Sequence, residues 1–586
     1  MSLQHAEAMA PPGDFSHRTP KPLPFELLQH TGIFFEEKLY TRALELLFST
    51  LASGTYASNN VLVPLPQHLA LAATFLVHPS TTTRAKSTEE KDAPDVALRL
   101  LRLYSAQVNP MEAKLNLAFS FTQSKLSRSG RRCHEEHDPT SELRHDETRL
   151  LNLELGKGDS LWSRAEDFWH AVGWAFNCSV LHPERWDRWQ IWLHFMCDIL
   201  IDDWTQREQT YEATQAQKKD NPQDGIPEGN GKRRGRGRQP LEDDLGVFRE
   251  SLIFQYISAG VGHRNTRRIV RAIFADGSTA SVNEFREVFD KELASLSAHK
   301  HGAKAKKRER EVNIDKEEYG DYLTDDSDED ASVSGQSKPQ SRAPTPLGDV
   351  SKGRRSKRTR RGTRNASDPS GAEPAPEAFD ACRTALAHNS GGVSHMGGLD
   401  SLGLRKKFLG ILSRVSDYLP KDFIKLGELY HFFVEQIRHM PLPIFQVFVN
   451  PFVAPELDDE SQSTLCEFLL FNMIESSART SHDNYLTDAK LEQCFLPYAA
   501  ATASVVDDAK FSILLESLVT LLAGQNMLKL TPSLKSAVKA GIRRREDKES
   551  YRSQASRKKK SLEWCWLEES GQRLMFLVDL LEVQDG

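Results

Sequence analysis

Apolar residues recur at the three-and-four spacing of amphipathic helices over most of the chain, in short runs cut by proline and polar loops. In "FELLQHTGIFFEEKLYTRALELLFSTLASG", Leu39, Ala43, Leu46 and Leu47 share one helical face, and Gly54 follows as a stop. Pro64 and Pro66 open a second helix, "QHLALAATFLVHPS", which Pro79 closes. A third places Val96, Leu100 and Tyr104 on one line. Short helices separated this way predict stacked antiparallel hairpins.

The segment 161–204 holds seven of the nine tryptophans, at 162, 169, 174, 186, 189, 192 and 204. In its second half Trp186, Trp189, Leu193, Met196 and Leu200 form a stripe that Trp192, Phe195 and Ile199 widen until most of the circumference is apolar. A helix apolar nearly all round is buried, so the segment reads as a central helical hairpin. The tryptophans there read as core, not as an open cage for a cationic ligand.

Beyond it, 243–297 returns to helical spacing, and Ser281 with Glu284 fits a capping box. From Leu402 the chain is helical again. "PLPIFQVFVNPF" is expected to be an extended connector, because its three prolines remove backbone donors. The segment 562–583 reads as a short strand hairpin turning at Ser570 and Gly571, or as one more helix.

Between 298 and 400 this pattern is lost. From Lys300 to Pro376 only eight of 77 residues are larger apolar types, with no Phe or Trp. So little apolar surface does not offset the entropy of ordering a chain, which predicts disorder. The expected organisation is therefore mainly α, with two irregular helical-bundle or solenoid-like bodies joined by a long disordered charged linker. The boundaries are a polar start at 1–18, an N-terminal helical body at 19–215 and a basic polar loop at 216–242. A helical segment at 243–297 packs on that body, the linker covers 298–400, and a C-terminal helical body covers 401–586.

Composition narrows the function classes. The 586 residues carry 76 Lys+Arg against 82 Asp+Glu, a net charge of −6, which excludes a wholly basic nucleic-acid coat protein. No apolar run approaches the ~18 residues of a transmembrane helix, and the first residues lack the basic and apolar regions of a secretory leader. Seven scattered cysteines without a CxxC predict reduced thiols, as in cytosol or nucleus.

Charge is blocked along the chain. "KGRRSKRTRRGTR" carries eight basic residues and no acid between Lys352 and Arg364. Lys352, Arg354, Arg355, Lys357, Arg358, Arg360 and Arg361 are its candidate nuclear-import residues. "KRRGRGR", with Arg233, Arg234, Arg236 and Arg238, has the composition of a short Gly-Arg nucleic-acid patch. Arg264, Arg267, Arg268 and Arg271 fall at i, i+3, i+4 and i+7 and predict a cationic helical stripe. Such a stripe suits a polyanion, or carboxylates of the same fold. Ser327, followed by three acids, and Thr345, followed by proline, are candidate phosphorylation sites.

Cys133, His134 and His137 in "CHEEHD" lack the four-ligand spacing of a structural zinc site, so no metal or cofactor is expected. Signatures for a P-loop, a dinucleotide fold, a nucleophile elbow, a zincin or a kinase do not occur, and no catalytic residues are assigned. The expectation is a non-enzymatic nuclear scaffold or adaptor subunit of a chromatin or DNA-maintenance (DNA-repair-type) complex. Its helical surfaces would hold protein subunits, and its basic segments would add import and weak DNA or RNA contact. An RNA-processing or ribosome-assembly factor is the nearest alternative, and a cytosolic trafficking adaptor is a third.

Overall fold

The computed structural model describes residues 17–53, 60–121, 153–220, 245–259, 263–294, 396–453, 456–480, 486–529, 531–555 and 562–585. The fold is mostly α-helical. It begins differently from the helix expected near Pro20. Strand β1 (Thr19–Pro22) pairs in parallel with β2 (Asn60–Val63). With only two strands in this sheet, Pro20 and Pro22 sit where an unpaired edge tolerates them.

Helices α1 (Phe25–Glu36) and α2 (Tyr40–Ser53) make the crossover between the strands. Helices α3 (Pro66–Val77) and α4 (Thr88–Gln107) follow, α4 packing on both α2 and α3. A capping box starts α4: Glu90 N–H donates to Ser87 Oγ, and Ser87 N–H donates to Glu90 Oε2, both at 3.2 Å. That start lies a full turn before Pro94, which the helix carries inside it.

The tryptophan-rich hairpin consists of α5 (Phe168–Leu181) and α6 (Pro183–Asp220). Asp167 caps α5 by accepting the His170 N–H at 2.7 Å. All seven tryptophans of the segment are buried. Helices α7 (Leu252–Ser258), α8 (His263–Ile273) and α9 (Thr279–Glu284) close over the hairpin. The cap of α9 is Ser278, which accepts the Ser281 N–H, and not Ser281 itself. Both serines satisfy the local pattern. Glu284 is instead drawn to Arg271, so the Ser281 box does not form.

The C-terminal half starts at α10 (Gly398–Tyr418) and continues through α11 (Leu426–Ile437). Helix α12 (Leu442–Val449) replaces the expected extended connector. Its prolines explain why: Pro441 is the cap and Pro443 lies in the first turn, where a missing N–H removes no helical bond. Helix α13 (Asp459–Met473) and the central apolar α14 (Val505–Gly524) come next. Helices α15 (Pro532–Ala555) and α16 (Leu562–Asp585) complete the fold.

The suggested strand hairpin at 562–583 is thus one continuous helix. The turn signal at Ser570 and Gly571 is overridden by packing. Ser570 Oγ, fully buried, donates to Glu516 Oε2 of α14 at 3.1 Å. A side chain at Gly571 would meet Ile542 at 3.4 Å, so α15 passes close at that point.

Residues 1–295 and 378–586 form one compact unit. The two helical bodies therefore share a core. Phe408 of α10 touches Phe168, Trp169 and Phe176 of the hairpin region. Gly397, with φ +79°, enters α10 where a Cβ would lie 2.2 Å from Ser179 Oγ, so both its backbone and its neighbour require glycine.

Candidate functional site

Helix α8 places the arginine stripe on one side, but the fold supplies partners for much of it. Arg271 makes a fork of two 2.7 Å bonds to Glu284. Arg268 pairs with Asp167 and lies 3.4 Å from Glu166. Arg267 rests its guanidinium 5.2 Å over the Phe432 ring, contributed by α11. The Arg264 side chain lies outside the described residues. As a free cationic face the stripe is thus narrower than its spacing implies, because Arg268 and Arg271 are tied to carboxylates of their own fold. Arg267 and Arg271 remain exposed to solvent.

The other sequence-derived candidates fall outside the described residues. These are Arg233, Arg234, Arg236 and Arg238, the import residues from Lys352 to Arg361, the phosphorylation candidates Ser327 and Thr345, and Cys133, His134 and His137. Among the described residues, no group of three or more His, Cys, Asp or Glu is placed to hold a metal ion. No described helix is long and apolar enough to cross a membrane.

The polar groups inside the body are knit together. Arg185 and Glu292 are both fully buried, with Nε donating to Oε1 at 2.8 Å. Two indoles complete the carboxylate's set: Trp189 Nε1 donates to Oε1 at 2.8 Å and Trp174 Nε1 to Oε2 at 3.0 Å. Arg185 also donates to Thr82 Oγ1 at 2.9 Å and to the Val77 carbonyl. A buried charge with every lone pair engaged fixes geometry but leaves no group free for chemistry. Cys178, beside this cluster, is pushed well above the ordinary thiol range by burial and then by Glu292, so it is not a nucleophile.

A second buried cation joins the two halves. Arg405 of α10 donates to the carbonyls of Ile273 and Ala275, the latter at 2.9 Å, at the C-terminal end of α8. Its guanidinium stacks 4.1 Å over Phe176. Those carbonyls have no helical partner, and a positive charge there is favoured. Burial lowers the guanidinium to about 9, which keeps it protonated at neutral pH. Lys406, lowered by burial to about 8, donates to Asn450 O at 3.3 Å and Val453 O at 3.4 Å.

Two surface clefts remain. One, of about 320 Å³, lies over the buried Asp203–Arg207 pair, with Lys114, Asn116, Glu250 and Gln255 at its walls. Asp203 is occupied: Oδ1 accepts Arg207 Nε and Oδ2 accepts the Leu252 N–H, both at 2.9 Å. The other, of about 340 Å³, sits between Phe274, Asp276, Met396, Gln436, His439 and Ile444. Neither assembles a nucleophile, a base and a stabilising donor around one point.

Sequence reasoning placed the tryptophans in the core but missed the cations that organise it. Arg185 was visible only as one arginine in an aromatic helix. Nothing near Glu292 marked it as that arginine's partner. No protein-family model matches the chain, and no match is found among the curated proteins.

Proposed function

We propose that this chain is a non-enzymatic nuclear scaffold or adaptor subunit of a chromatin or DNA-maintenance complex. The observation that carries the reading is the placement of the basic segment 352–364. It holds eight basic residues and no acid, inside the long charged stretch between the two halves of one compact helical unit. A stretch of that composition supplies import and salt-sensitive contact with polyanions. The helical body supplies rigid surfaces for protein subunits. The exposed Arg267 and Arg271 would add to nucleic-acid contact at most weakly, since Arg271 already holds Glu284.

The Gly-Arg run at 232–238 favours a second reading, an RNA-side role in processing or ribosome assembly. Nuclease treatment separates the two. Release of the tagged chain from a nuclear pellet by DNase, with RNase ineffective, supports the chromatin reading. Release by RNase alone moves the chain to the RNA side. A pellet-free, cytosolic chain removes both and leaves a trafficking adaptor.

A further inference from the structure

Helix α16 is apolar on two faces, and the fold uses one. Its inner face, through Leu567, Leu574 and Val578, is buried in the core. On the outer face Phe576, Leu580 and Val583 are 66%, 44% and 78% exposed. They follow i, i+4 and i+7 and so form one stripe about two helical turns long. Between Leu574 and Val583 the only polar residues are Asp579 and Glu582. Lys535 of α15 pairs with both, at 3.0 and 2.6 Å. Single exposed apolar side chains are ordinary on a surface. Three in register on one helix are the pattern by which helices recognise each other.

Charge around the stripe identifies what covers it. The helix carries Glu563, Glu568, Glu569, Asp579, Glu582 and Asp585 against a single Arg573. Asp579 and Glu582 keep over half of their side-chain surface exposed despite their pairing, at 55% and 56%. A second copy of this helix would bring acidic edges against acidic edges, and like charges at short range oppose association. A helix with an apolar stripe and Lys or Arg along its edges meets the opposite field. We propose that the outer face of α16 is the docking site for an amphipathic helix with basic edges, contributed by a partner protein. The inference rests on the adaptor reading and specifies one of the surfaces that reading requires.

The test uses the full chain and two fluorescent peptides. Both are one amphipathic helix with leucines along its apolar stripe, and they differ only in carrying Lys or Glu along the edges. Anisotropy titrations should show the Lys-edged peptide binding wild type at least about tenfold tighter than the Glu-edged one. They should also show at least about tenfold weaker binding to the double variant Phe576→Ser, Val583→Ser. Val583→Ser alone, at the most exposed position, provides a folded control if the double variant melts early, and should weaken binding in the same direction. Equal binding of the two peptides, no binding of either, or binding untouched by both variants overturns the proposal. So does a wild-type chain that sediments as a dimer and becomes monomeric in the double variant, since a second copy then covers the stripe. These titrations are made in vitro, so they are independent of localisation, and a cytosolic chain that still discriminates the peptides refutes only the nuclear reading.

Discussion

Arg185 and Glu292 form an ion pair in which neither side chain reaches solvent, across 107 residues of sequence. The pair joins the start of α6 to the segment after α9, and two tryptophan indoles hold the same carboxylate. Removing one partner of such a pair leaves an uncompensated buried charge, which costs about 3–5 kcal/mol. Glu292→Gln should therefore lower stability by that order in chemical denaturation. Arg185→Met combined with Glu292→Leu should cost less than either single change, because no charge is then stranded. A double variant as damaging as the two singles added together would show that the pair is not coupled.

The hairpin tryptophans make a second prediction. Trp189 is fully buried, packs edge-on against Trp192 at 5.5 Å between centroids, and donates to Glu292. Trp189→Ala should cost about 3–5 kcal/mol, a large share of the roughly 5–15 kcal/mol that stabilises a domain. Thermal unfolding beside wild type measures it. An unchanged melting curve with selective loss of one partner would make the hairpin a recognition site instead.

Arg405 predicts coupling between the halves. Arg405→Lys keeps the charge but lacks the fork that spans two carbonyls. Hydrogen exchange should speed up across the last turn of α8, as well as in α10 itself. Exchange confined to α10 would contradict the account of Arg405 as the tie.

Acid should destabilise the N-terminal helices through two histidines. Burial lowers both His68 and His78 from 6.5 to about 4. Each ring accepts a backbone N–H at Nδ1, from Leu65 at 3.3 Å and from Ser80 at 3.2 Å, so each is needed neutral. The folded state then binds fewer protons than the unfolded one between pH 6.5 and 4. Their contribution is whole above that window and is lost as pH falls through it, by up to about 1.4 kcal/mol per pH unit for each ring. His68→Asn with His78→Asn should flatten this limb of the stability curve. A limb of unchanged slope would place the acid sensitivity elsewhere.

How much of this was legible beforehand depended on the range of the interaction. The helix α6 was readable because its own residues are apolar around most of the circumference, whatever packs on it. The α12 error came from scoring three prolines by number and not by position, since in a first turn proline costs nothing. Ser570 and Gly571 looked like a turn because the buried acceptor on Glu516 lies 54 residues away and leaves no local trace. The arginine stripe was correctly periodic, but Asp167 and Glu284, which hold it, become neighbours only in the folded chain. Long-range polar partners such as Glu292 have no periodic signature at all.

The account stands or falls on where the chain resides. A fluorescent fusion of the full chain should concentrate in the nucleus. Neutralising Lys352, Arg354, Arg355, Lys357, Arg358, Arg360 and Arg361 together should move it to the cytosol, with its melting temperature unchanged. A wild-type fusion excluded from the nucleus would contradict the proposed function outright.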